Sequence, residues 1–173
     1  MNAKSQIISA IFFFAIFCAT ANFWTPGLFQ ENQLQDFELV KKITVPGNLA
    51  WTDTALEVLK GQEFYFMATG KISLQKDNPV AGCDPEGVNL KTQQQPLSDQ
   101  NIGALIGKVL EKVEVATDKQ TGEKNKRDIG QVFYIGKESK ILLPADGRLM
   151  LGINDLVVGD NDGSFEVSIY RKK

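Results

Sequence analysis

The sequence contains no histidine, and it has only two cysteines in 173 residues. Histidine is the commonest general base in enzymes and the commonest imidazole ligand for metals. Its absence excludes a Ser-His-Asp or Cys-His catalytic site and any zinc site that depends on histidine. A metal bound by this chain would have oxygen ligands, which favours a hard cation such as Ca²⁺.

The sequence also lacks a strong charge of either sign. Nineteen Lys and Arg residues stand against 21 Asp and Glu residues, which gives a net charge of -2 at pH 7. Such a chain has no basic field that would hold nucleic acid or an anionic membrane surface, so we expect neither partner. Its 43% hydrophobic and 23% charged residues are typical of a globular chain, and its length predicts one domain.

The first 21 residues predict a secretory signal peptide. Lys4 supplies a positive start, residues 7–21 are almost all apolar, and Ala19-Thr20-Ala21 is a small-x-small cleavage pattern. Cleavage near Ala21 would leave a secreted or periplasmic chain without a membrane span. An uncleaved N-terminal anchor is the alternative, although the apolar run is shorter than the roughly 20 residues that span a bilayer.

The rest of the chain predicts β-strands. Phe165, Val167 and Ile169 alternate with polar residues and are expected in the core, and the same period of two recurs in residues 63–68 and 148–153. Turn residues separate these runs, which indicates an all-β sandwich or barrel. We assign residues 22–44 to an N-terminal arm, in which 33–42 could instead form a short helix, and residues 45–173 to the β-domain.

Two long polar segments interrupt the strand pattern. Residues 75–102 contain Gly and Pro residues that indicate ordered turns, so we interpret this segment as functional. Residues 117–127 are rich in lysine and are typical of a solvated hairpin tip. Cys83 is the only thiol left after signal-peptide cleavage, so it is either a small buried residue or the site of an intermolecular disulfide.

An acidic cluster stands between the last two strand patterns. Asp155, Asp160, Asn161 and Asp162 fall within eight positions and could supply several of the 6–8 oxygens that calcium prefers. The alternative is a simple hairpin turn, since Asn-Asp-Gly is a good turn sequence. An EF-hand is excluded, because a loop aligned on Gly163 would begin and end on residues that cannot coordinate a metal.

Five segments together resemble the PA-IL-like family of calcium-dependent, galactose-binding bacterial lectins. The segments are Asn48–Val58, Gly61-Gln62, Gly82–Gly87, Ile102–Lys108 and Leu151–Phe165, and they appear in the family's order and spacing. The resemblance covers roughly residues 45–170. It implies a small β-sandwich of two antiparallel sheets, similar to galactose-binding domains.

The resemblance also implies a binding site. Calcium would be held by Asp155, Asp160, Asn161 and the main-chain carbonyls of Leu74 and either Val157 or Val158. The same Asp155, Asp160 and Asn161 would bind the sugar, with Lys91 near the family's histidine position and Gln94, or its neighbours Gln93 and Gln95, at the family's glutamine position. This chain departs from the family at the sugar-contacting position, because it has no histidine there.

These inferences lead to two functional hypotheses. The first is a secreted, calcium-dependent carbohydrate-binding module, for a sugar of the galactose type and with a homo-oligomeric assembly that would compensate for weak single sites. The second is a secreted or surface structural or adhesion module whose calcium stabilises a loop without binding sugar. We expect no catalysis, because the carboxylates of Asp84 and Glu86 flank a proline in a turn and the sequence shows no nucleophile with an adjacent base.

Overall fold

The computed structural model describes residues 34–117 and 124–173. The predicted signal peptide, most of the predicted arm and the tip of the lysine-rich segment lie outside these residues. The described strands are β1 (Phe37–Pro46), β2 (Trp51–Val58), β3 (Glu63–Ser73), β4 (Gly82–Cys83), β5 (Leu105–Thr117), β6 (Lys124–Tyr134), β7 (Glu138–Leu142), β8 (Gly147–Ile153) and β9 (Asp162–Lys172).

The strands form two antiparallel sheets. The first sheet has the order β1-β9-β3-β4, and β7 pairs with β3 as well; the second has the order β2-β8-β5-β6. Every strand pairing in the described residues is antiparallel. The predicted all-β sandwich of two antiparallel sheets is confirmed. No helix in the described part of the chain is long and apolar enough to cross a membrane.

The core lies between the two sheets. Phe165, Val167 and Ile169 of β9 are at most 1% exposed, as the alternation predicted. They belong to one hydrophobic cluster with Leu149 and Leu151 of β8, which come from the other sheet. Because alternate residues of each strand face inwards, the residues between them form the outer faces of the sandwich.

Strand β1 lies partly in the range assigned to the N-terminal arm. It begins at Phe37 and pairs with β9 as far as Pro46, so residues 37–44 belong to the sandwich and do not form a helix. Its register shifts between Leu39 and Lys41. This bulge breaks the alternation, and charged residues are frequent on an edge strand, so the sequence pattern hides the strand.

The two long segments differ in structure. The first contains the one-turn 3-10 helix Pro79–Ala81 and the short β4, which pairs with β3. The lysine-rich segment joins β5 and β6, which stay paired as far as Thr117 and Lys124. Residues 124–127 of the segment predicted as a hairpin tip therefore belong to β6, and residues 118–123 lie outside the described residues.

Candidate functional site

The connection between β8 and β9 is an ordered loop at one rim of the sandwich. It contains the one-turn 3-10 helix Val158–Asp160. The Asp155 carboxylate accepts a hydrogen bond from the Val157 amide through Oδ1 at 3.0 Å, which is an Asx-turn. The Lys76 amide donates to the Asp160 carbonyl at 2.6 Å and so joins the loop to the segment that follows β3.

Asn161 is the buried polar residue of this loop. It is 4% exposed, and its Nδ2 donates to the Asp155 Oδ2 at 3.0 Å and to the Gly47 carbonyl at 3.1 Å. Both partners are acceptors, so they determine which way the amide points. The Asn161 Oδ1 is then buried without a hydrogen-bond partner among the described residues. Such an orphan acceptor costs about 1–3 kcal/mol, and a simple turn gives no reason for it.

The other predicted calcium ligands belong to the same loop or, for Leu74, to the position directly after β3. Asp160 is exposed, and its carboxylate makes no side-chain hydrogen bond to a described residue. Val157 is the N-cap of the one-turn helix, and the Val158 carbonyl accepts from the Asn161 amide at 3.1 Å. Leu74 directly follows β3, and its amide donates to the Ala81 carbonyl at 3.0 Å.

The predicted ligand atoms are carboxylate, amide and main-chain oxygens, which calcium prefers. The described residues contain no group of three or more His, Cys, Asp or Glu side chains that could hold a metal ion. A cation at this loop would therefore depend on amide and main-chain oxygens in addition to Asp155 and Asp160, which is usual for calcium. The unpartnered Oδ1 of Asn161 fits this requirement, because a cation would satisfy it.

Asn154 connects the first long segment to this loop. It is completely buried; its side chain accepts from the Leu97 amide at 2.9 Å and donates to the carbonyls of Leu97 at 3.0 Å and Asn101 at 2.9 Å. The residue after it is Asp155, so the clamp sets the long segment beside the candidate site. In the sequence, Asn154 is noticed only as part of the segment Leu151–Phe165. Its position directly after the apolar strand β8 is the sequence signal that could have indicated a structural role for its side-chain amide.

The residues predicted to contact the sugar lie on this clamped segment. Lys91 and Gln94 are both exposed. Gln95 is half-buried, and its Nε2 donates to the Thr92 hydroxyl at 3.1 Å, while its Oε1 is buried without a partner in the described residues. Of the three adjacent glutamines, Gln95 is the one that is half-buried.

Cys83 and Asp162 also belong to the segments that resemble the lectin family, but neither is among the predicted calcium or sugar ligands. Cys83 is buried, and this burial, together with the negative charges of Asp84 and Asp155, raises the pKa of its thiol to about 11. The burial of this free thiol favours the interpretation of Cys83 as a small buried residue over an intermolecular disulfide. Asp162 begins β9 and lines a shallow cleft with Ser73 and Asn78.

The described strands form a two-sheet antiparallel sandwich with an oxygen-rich loop at its rim. The structure is similar to that of the EclA N-terminal domain, which is described as a PllA-like lectin. The TM-score is 0.53 at 20% sequence identity, and the match covers 78% of this chain and 98% of that chain. The lectin-like fold that the resemblance implied is confirmed. No family model and no curated protein matches the sequence.

Proposed function

We propose that this chain is a secreted carbohydrate-binding module of the lectin type whose sugar contact depends on calcium. The observation that supports this proposal most directly is the buried, unpartnered Oδ1 of Asn161. It lies in a loop that also contains the carboxylates of Asp155 and Asp160. The similarity in fold to a domain described as a lectin adds support for carbohydrate as the ligand class.

Each residue of the loop has a distinct part in the proposal. Asp155, Asp160 and Asn161 would hold the cation, with carbonyls from Leu74 and from Val157 or Val158. Bound calcium would supply coordination positions for sugar hydroxyl oxygens. The carboxylates of Asp155 and Asp160 would accept hydrogen bonds from the same hydroxyls, since ionised acceptors form the stronger hydrogen bonds.

The clamped long segment would determine which sugar is bound. Lys91 can only donate hydrogen bonds, whereas the glutamines can both donate and accept. A sugar of the galactose type is our proposal for the ligand, with Lys91 and either Gln94 or Gln95 as the residues beside it. Because single sites of this kind bind weakly, we also propose a homo-oligomer that presents several sites together.

Binding to immobilised glycans with and without calcium tests the proposal. We expect the wild-type protein to bind galactose-containing glycans in about 1 mM free calcium and to be released by a chelator. Asp155→Asn should abolish this binding, whereas Asp36→Asn, an exposed aspartate just before β1, should not change it. Binding that persists in excess chelator, or in Asp155→Asn, would contradict a calcium-dependent contact.

The second candidate is a secreted structural or adhesion module that uses calcium only to stabilise the loop. Lys91 and Gln94 are exposed, and their side chains make no hydrogen bond to the described residues. This favours the second candidate, because no contact in the described residues holds these two side chains in position for a ligand. This candidate predicts a calcium-dependent rise in melting temperature and no response to any glycan on the same surface. Neither candidate requires catalysis.

A further inference from the structure

A second cleft lies on the outer face of the first sheet. It has a volume of about 390 Å³ and is lined by Lys42, Met67, Thr69, Glu166, Val167, Ser168 and Tyr170. Lys42, Ser168 and Met67 form one cross-strand row of β1, β9 and β3, and Glu166 and Thr69 belong to the row two residues away. Apart from Val167, the lining side chains point away from the core, because Phe165, Val167 and Ile169 of β9 point into it.

The polar groups of this cleft include charges of both signs. Thr44 donates to the Glu166 Oε2 at 3.0 Å and so orients the carboxylate. Lys42 forms no ion pair with a carboxylate of the described residues. An anionic ligand would be repelled by Glu166, and a cationic one by Lys42. A neutral ligand with many hydroxyl groups can accept from Lys42, donate to Glu166 and pair with the hydroxyls of Ser168 and Thr69.

Tyr170 provides an aromatic wall at one end of the cleft. Its ring packs on the ring of Tyr65 with centroids 6.0 Å apart and planes tilted by 55°. Tyr65 is itself buried, donates its hydroxyl to Glu138, and packs on Phe37 at 5.9 Å between ring centroids. This packing holds Tyr170 in place, and an aromatic ring held in place is a stacking surface for the apolar face of a sugar ring.

We propose that this cleft is a second saccharide-binding site, and that it does not require calcium. Its volume lies at the lower end of the range for small-ligand sites, so it would take a short saccharide. Ser168 lies seven positions after Asn161, which is about 23 Å along an extended strand. The cleft is therefore distinct from the loop at the rim, and binding to it does not depend on the function proposed for that loop.

The test is a titration of the ¹⁵N-labelled protein in excess chelator, followed by NMR. The probes are lactose, cellobiose and maltose. We expect at least one of them to shift the backbone amides of Lys42, Thr69, Ser168 and Tyr170. Lys42→Ala and Glu166→Gln, both at exposed positions, should each weaken this binding about tenfold, since each removes a charge-assisted hydrogen bond.

Two controls separate this site from the loop and from general charge effects. Lys137→Ala removes an exposed lysine outside the cleft and should leave the affinity unchanged. Asp155→Asn should also leave it unchanged, whatever that variant does to calcium-dependent binding. The proposal is overturned if none of the three sugars shifts the cleft amides, or if Lys42→Ala and Glu166→Gln bind as tightly as the wild type. Self-association that Tyr170→Ala abolishes, without sugar binding, would assign the cleft to a second copy of the chain and would also overturn it.

Discussion

At the scale of single residues, Asn161 is the most informative position for the calcium hypothesis. Its Nδ2 lies 3.0 Å from the Asp155 Oδ2, so Asn161→Asp would replace a donor by a second negative oxygen at that distance. Without a metal, these two adjacent like charges, one of them buried, repel, and we expect a loss of about 3 kcal/mol in the free energy of unfolding. Calcium would neutralise both carboxylates and restore most of that loss.

Melting curves in chelator and in calcium measure this difference. Asn48→Asp is the matched control, because Asn48 is exposed and the same added charge there remains hydrated. We expect Asn48→Asp to melt near the wild-type temperature under both conditions. The calcium site would have to lie elsewhere if Asn161→Asp were as stable in chelator as this control, or if calcium failed to rescue it.

At the scale of elements, the clamp by Asn154 makes the long segment and the β8–β9 loop one unit. Asn154→Ala would leave the Leu97 amide without its partner and would remove one of two donors from each of the carbonyls of Leu97 and Asn101, with a cost of about 3 kcal/mol in unfolding free energy. Hydrogen exchange should show the loss first at residues 97–101. Asn101→Ala is a milder control, since the Asn101 side chain makes one bond, to the Glu86 carbonyl.

The elements also show what sequence reasoning reaches and where it stops. The alternation of Phe165, Val167 and Ile169 predicted both a strand and its buried face, because period-two patterning follows directly from strand geometry. β1 was missed, since a bulge at Leu39 interrupts that period. The order of strands in each sheet depends on non-local pairing, which local patterns do not carry.

The candidate site, too, could be predicted from the sequence only in part. The acidic residues at 155 and 160 are visible in the sequence, and so is the pattern that suggests calcium. The unpartnered oxygens of Asn161 and Gln95 are not visible, because they depend on which way a side-chain amide is held by distant partners such as Gly47. The cleft on the first sheet is likewise absent from the sequence pattern, as it combines residues of three strands that are far apart in the chain.

At the scale of the whole molecule, calcium should stabilise the folded chain by mass action, because the unfolded chain has no assembled site. For an extracellular site with a dissociation constant of about 10⁻⁴ M, about 1 mM calcium adds about 1.4 kcal/mol and raises the melting temperature by about 5 °C. Magnesium at the same concentration should have a much smaller effect, since it prefers rigid octahedral sites and keeps its waters. Asp155→Asn should remove the calcium effect and Asp36→Asn should keep it. An equal rise in melting temperature in both variants would mean that calcium stabilises the sandwich through another site, and the sugar contact at the rim would then lose its physical basis.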